Sequence, residues 1–175
     1  MASEPESVVP GVADVEDSFE PSETAATFET VEQYGVREVA IAVGAGAVAT
    51  VAMAPLFVLA WRAGALDPVA FTGLSTLVGL GPSLPVGAFI FLGGGAIPLA
   101  LVFLAWAGFL PGRTLAVRGM VYATIVWTGF ALAFYSGQQG TLLFVYLALT
   151  LVAHWVYGAV LGYVYGQFAV IPANL

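Results

Sequence analysis

Cysteine and lysine are missing altogether from this chain of 175 residues, and histidine occurs once, at position 154. Without cysteine there is no disulfide, no thiolate nucleophile and no sulfur-ligated metal or cluster. Without lysine there is no amine nucleophile. The four cations, Arg37, Arg62, Arg113 and Arg118, are too few and too scattered for a nucleic-acid surface or a polybasic lipid-binding patch. A single histidine excludes a His-rich metal site and a zincin motif. Acid is almost as scarce beyond position 38: Glu4, Glu6, Asp14, Glu16, Asp17, Glu20, Glu23, Glu29, Glu32 and Glu38 leave only Asp67 further on. Catalysis needs positioned acids, bases, nucleophiles or metals, and this chain offers little of any. Ser75 follows Gly73 but lacks the second glycine of a nucleophile elbow. The expectation is a protein that is not an enzyme, holds no metal and binds no nucleic acid.

What the chain has in quantity is apolar residue. It is 60% hydrophobic and 9% charged, against roughly 25% charged in soluble domains, so the bilayer is its solvent. The negative net charge, −7 over the whole chain, comes from the first 38 residues. Residues 1–35 are rich in Glu, Ser, Pro, Val and Ala without periodicity, and are expected to be a disordered acidic tail. Such a tail reads as a solvated segment, with docking to a basic partner as the alternative. An acidic, lysine-free segment also fits a protein bathed in high salt. No cleavable signal pattern precedes the first apolar run, so that run is expected to act as its own insertion signal.

Four runs are long enough to cross a membrane: about 39–61, 86–110, 115–136 and 141–166. The last has 26 residues and no Asp, Glu, Lys or Arg. Pro55 predicts a bend in the first span, because proline withholds an amide from the carbonyl four residues earlier. In the second span Gly93, Gly94 and Gly95 are followed by Pro98, which predicts a kink or an unwound turn at mid-membrane. Broken helices of this kind form transport sites in some proteins and simple packing kinks in others. Between the first two spans Asp67 and Pro68 read as an N-cap and first helical residue, starting a short interfacial helix that ends near Gly79. Its apolar side would hold Ala70, Phe71, Leu74, Leu77 and Val78, and its polar side Thr72, Ser75 and Thr76. Three arginines lie near span ends on the side of the N-terminus and Arg62 lies opposite, so both termini are expected in the cytoplasm of a multi-pass cell-membrane protein.

Thr150, His154, Gly158, Gly162 and Gly166 recur at four-residue steps along the last span, forming a ridge nearly bare of side chains. Small residues at this spacing let membrane helices meet backbone to backbone. Ala42, Gly46, Thr50 and Ala54 make a similar ridge in the first span, and the two are expected to mate. His154 sits near mid-membrane, where an ionisable group must be satisfied. The simplest reading is a neutral imidazole bonded to a Thr, a Tyr or a carbonyl of a neighbouring helix. Haem ligation with Met53 or another chain's histidine, a proton relay and a quinone contact are the alternatives. Arg118, in the first turn of the third span, is expected to snorkel to the headgroups, or to pair with a partner's carboxylate or a cofactor propionate. Trp61, Trp106, Trp127, Trp155, Tyr157, Tyr163 and Tyr165 read mostly as interface anchors or lipid-facing bulk.

From about Glu38 to Gln167 the chain resembles a family of small four-helix membrane proteins found mainly in haloarchaea and of unknown function. The resemblance rests on Gly46-Ala47-Val48-Ala49-Thr50-Val51-Ala52-Met53, on Leu110-Pro111-Gly112-Arg113 with Val117-Arg118-Gly119-Met120, and on Leu151-Val152-Ala153-His154-Trp155-Val156-Tyr157-Gly158. It implies an association with haem-copper terminal oxidases, as an accessory or assembly subunit, and supplies no catalytic residue. The expected architecture is an all-α membrane protein: a four-helix transmembrane bundle over 36–175, with a short interfacial helix after the first span. Its expected partners are the lipid bilayer and either membrane-protein subunits or further copies of itself. A small transporter or channel at the broken second span, and a haem- or quinone-binding protein through His154, are the competing functions.

Overall fold

The structure, a computed structural model, describes residues 35–169 of the chain. The acidic tail expected over 1–35 therefore lies outside the described residues, Gly35 excepted. Helix α1 spans Val36–Arg62. A 3-10 turn, Pro68–Phe71, leads into a short α2 at Thr72–Leu77. Then come α3 (Leu84–Ala96), α4 (Pro98–Trp106), α5 (Leu115–Ala133) and α6 (Gly140–Phe168). The described residues contain no strand. Four segments are long and apolar enough to cross a membrane: α1, α3 with α4 as one interrupted span, α5 and α6.

The boundaries differ from the sequence expectation where polar side chains take over the backbone. The second span starts at Leu84 with Pro85 in its first turn, which wastes no amide there. It stops at Trp106, because Arg118 draws the carbonyls of Ala107 and Gly112 into a compact turn: Nη1 donates to the first at 3.0 Å and Nε to the second at 3.1 Å. The third span ends at Ala133 rather than Ser136. Beyond it the Gln138 side chain accepts from the Ser136 amide at 2.9 Å and donates to the Ala65 carbonyl, also at 2.9 Å. That pair latches the α5–α6 turn to the loop after α1. Helix α1 runs through Pro55 without interruption.

The segment after α1 begins as its residues dictate. Asp67 caps the 3-10 turn by accepting from the Val69 amide at 2.9 Å, with Pro68 next. Gly79 and Gly81, at φ +80 and +70, then turn the chain into α3. The expected division of faces does not hold. Ser75, placed on the polar side by periodicity, is fully buried, while Leu77 is 83% exposed. The Ser75 hydroxyl shares its one proton between the carbonyls of Thr72 and Gly81 and accepts from the Ser83 amide, so it knots the turn together. In a membrane the outward face welcomes Leu77 and the buried face can hold a hydroxyl whose bonds are complete, which inverts the rule for a soluble amphipathic helix.

The two halves of the bundle pack differently. Towards the end that holds Val36 and Phe168, the core is made of Ala42, Ala45, Ala49, Ala100, Ala123 and Ala153 around Phe103, Tyr122, Tyr157 and Leu161. Small residues let the helices close tightly there. Towards the Arg62 end the space is filled by rings: Phe130 stacks on Phe134 at 4.4 Å, and Phe57, Phe71 and Phe91 join them edge-on or tilted at 4.8–5.8 Å.

The closest approach between membrane spans joins α5 to α6. A Cβ built on Gly158 would strike the Gly119 carbonyl, and one on Gly119 would strike the Gly158 carbonyl. One turn on, a Cβ on Gly162 would strike the Leu115 carbonyl. Both backbones lie in contact, so even a methyl group forces the helices apart. Gly158→Leu should lower stability by about 1–3 kcal/mol, the usual range for overpacking. A detergent thermal melt should show that loss, whereas Gly129→Ala, with open space at its Cβ, should melt with the wild type.

Candidate functional site

Two tyrosines reach the broken second span, whereas His154 and Arg118 are bonded elsewhere. Pro98 has no amide to offer the Gly94 carbonyl, and the backbone at Ile97 departs from helical geometry, with φ −110 and ψ −79. The ladder resumes at once, since the Ile97 amide donates to Gly93 and the Ile97 carbonyl accepts from Leu101. The break is therefore one residue wide. Two tyrosines from other helices close over it: Tyr157 of α6 donates to the Gly95 carbonyl at 2.7 Å, and Tyr122 of α5 donates to the Leu99 carbonyl at 2.8 Å. Each is buried among apolar residues, so its hydroxyl needs such a partner.

The three glycines of the break are not equivalent. Gly95 is buried with the Thr50 hydroxyl against its Cβ position, while Gly93 and Gly94 have open space there. Gly46 of α1 lies against the Ala96 carbonyl and the Ala100 methyl. The first-span ridge containing Gly46 and Thr50 thus mates with the broken span. The ridge carrying Gly158 and Gly162 mates with α5, and Gly166 meets the Leu115 side chain. The expected pairing of these two ridges with each other is corrected: α1 packs along α6 as well, with Ala45, Ala49 and Met53, on the neighbouring face of the same turns, in the core that the two helices share. The partner of Gly158 was readable in part, since Gly119 and Ala123 form a small-residue pair at four-residue spacing.

His154 is 3% exposed. Its Nδ1 lies 2.7 Å from the Thr150 carbonyl, one turn back on its own helix rather than on a neighbour. A carbonyl only accepts, so Nδ1 carries the proton. The ring is held between Phe130, 4.9 Å away, and Phe57, 5.9 Å away. The Thr150 hydroxyl donates to the Tyr146 carbonyl and accepts from Trp127 Nε1 at 3.0 Å. Trp155 Nε1 donates to the Thr124 hydroxyl at 2.9 Å. Trp127, Trp155, Tyr157 and Tyr165 therefore serve α5–α6 and interior contacts rather than an interface belt. Trp61, Trp106 and Tyr163 are at least half exposed, as anchors should be. The residues around His154 do not fit a haem: its ring is enclosed by phenylalanine, and a porphyrin there would displace Phe57 and Phe130.

Arg118 donates to two carbonyls of the turn after α4, and Arg37 Nη2 donates to the Phe168 carbonyl at 3.0 Å while pairing with Glu38 at 3.6 Å. Both arginines thus sit where helices expose their C-terminal carbonyls, which carry partial negative charge. Position alone could not assign these acceptors, because they come from remote turns. Sequence reasoning also missed Tyr122, Tyr146 and Gln138, whose partners lie on other elements.

Four long apolar helices, with polar side chains spent on carbonyls, define a multi-pass membrane protein. A family of unknown function (DUF6789) matches residues 36–175, and the chain belongs to it. No curated protein and no solved structure gives a significant match.

Removing the Tyr157 hydroxyl tests whether it holds the break closed. Tyr157→Phe should lose about 0.6–1.7 kcal/mol, the range measured for hydrogen bonds between membrane helices. Amide exchange at Ile97–Leu101 should quicken, and unchanged exchange there would show that Pro98 and packing set the break alone.

Proposed function

We propose that this protein is a non-catalytic accessory or assembly subunit of a membrane complex, with a respiratory oxidase as the partner that the family resemblance implies. The observation that carries the reading is the Tyr157 bond to Gly95. A transport site at a broken mid-membrane helix would draw on the carbonyls beside the break, and here Tyr157 bonds that of Gly95 and Tyr122 that of Leu99. The imidazole of His154 gives its Nδ1 proton to its own helix, and its ring is enclosed by Phe57 and Phe130. These polar groups serve cohesion of the bundle, leaving the outer surface for lipid and for other subunits. Transport through the second span and haem or quinone binding at His154 rank below this reading for the same reasons.

Affinity isolation of a tagged chain from its native membranes in mild detergent should recover haem-copper oxidase subunits in fixed ratio. Recovery of the chain alone would remove the accessory-subunit reading. Both termini are proposed to be cytoplasmic, from Arg37, Arg113 and Arg118 at one end of the bundle against Arg62 at the other. The native chain has no cysteine, so single replacements report cleanly. A membrane-impermeant maleimide should label Thr76→Cys on intact cells and leave Gln167→Cys unlabelled, and the reverse pattern would invert the topology.

A further inference from the structure

A crevice of about 190 Å³ lies between α1 and α3. An apolar cavity of about 150 Å³ is enough to hold a benzene ring, so there is room here for a stretch of hydrocarbon. Buried Met53, with Phe57 and Phe91, forms its floor, and Phe71 reaches it from the 3-10 turn. Val58 and Leu92, which also line it, are 49% and 47% exposed and mark its mouth. The crevice is therefore continuous with the surface that α1 and α3 present to lipid. The Thr50 hydroxyl, the one polar side-chain group in the lining, donates to the Gly46 carbonyl, and the remaining side chains are carbon and one thioether.

A second feature says what kind of molecule enters. Ala54 and Val58 line the crevice, and Arg62 continues the same four-residue ridge, so all three share one face of α1. The Arg62 guanidinium is exposed and stacked 5.5 Å over the Trp61 ring, and makes no ion pair with the described residues. Asp67, the other charged residue at this end, keeps its carboxylate on the Val69 amide. From Thr50 to Arg62 the helix rises about 18 Å at 1.5 Å per residue, the scale of one leaflet's hydrocarbon within a core of about 30 Å. We propose that the α1–α3 crevice binds a phospholipid of the leaflet at the Arg62 end, with one chain seated over Met53, Phe57 and Phe91 and the phosphate held by Arg62. The site is independent of the accessory-subunit reading.

Native mass spectrometry tests it on full-length protein extracted in mild detergent from vesicles of equal phosphatidylcholine and phosphatidylglycerol. The wild type should retain one phospholipid per chain, with phosphatidylglycerol favoured because its net charge complements Arg62. Ala54→Phe fills the crevice and should cut retention at least fivefold while the helical circular dichroism is unchanged. Ala88→Phe fills the same space from α3, guarding against a folding defect particular to the first variant. Arg62→Gln should keep the lipid but lose the preference for phosphatidylglycerol. Full retention in both filled variants would overturn the proposal. So would a wild type that retains no lipid, or one that carries an uncharged apolar molecule instead.

Discussion

Hydrocarbon supplies no hydrogen-bond partner, so every polar group inside a membrane must find its partner within the protein. Most of what distinguishes this bundle follows from that constraint. The Pro98 break would leave an irregular backbone at mid-membrane, and Tyr157 and Tyr122 answer it from two other helices. Ser75 can be buried because its hydroxyl is engaged three times. Gln138 holds two turns together through one side chain. At the opposite end Arg37 and Arg118 take up carbonyls where helices finish. The polar residues are few: Arg37, Arg118, Tyr122, Gln138 and Tyr157 tie elements distant in the chain, while Thr50 and His154 bond within their own helices.

Close packing supplies what apolar burial cannot. Lipid is as apolar as leucine, so helices in a membrane gain little by merely covering apolar surface. They gain by approaching closely, and Gly119 against Gly158 is the closest approach between spans. From that contact the α5–α6 pair extends through Leu115 and Gly162 on one side and through Trp155 and Thr124 on the other. The alanine-rich half continues the same tight packing to α1 and the broken span. The phenylalanine-rich half fills the wider space with rings, and the α1–α3 crevice opens beside it. Rigid rings tile imperfectly at the edge of such a cluster, which is a reason for the crevice to lie there.

The functional reading and the lipid site concern different surfaces. The first depends on interior polar groups being occupied by the chain itself, and on a family whose function is unknown. The second depends on a lined cavity and a charge on the same helical ridge. Trp61 and Arg62 together also resemble an interfacial anchor, with an aromatic ring and a cation at one headgroup level.

Composition and periodicity by themselves determined that this chain crosses a membrane four times as helices, because length and apolarity of a run are local properties that the bilayer reads directly. The Asp67–Pro68 start and the break before Pro98 were legible for the same reason: capping and a missing amide act within one turn. What only the tertiary structure decided was which surfaces meet. Glycine spacing marks a ridge as able to pack closely, yet it is silent on the mate, so the ridges of Gly46 and Gly158 were paired with each other when they face Ala96 and Gly119. Ser75 looked like part of a polar outer face, because nothing local shows that three backbone groups converge on it. Tyr157 looked like an anchor, because the carbonyl it satisfies lies 62 residues away. Hydrogen bonds across helices depend on where two elements cross, and the crossing is a property of the whole bundle rather than of any stretch of sequence.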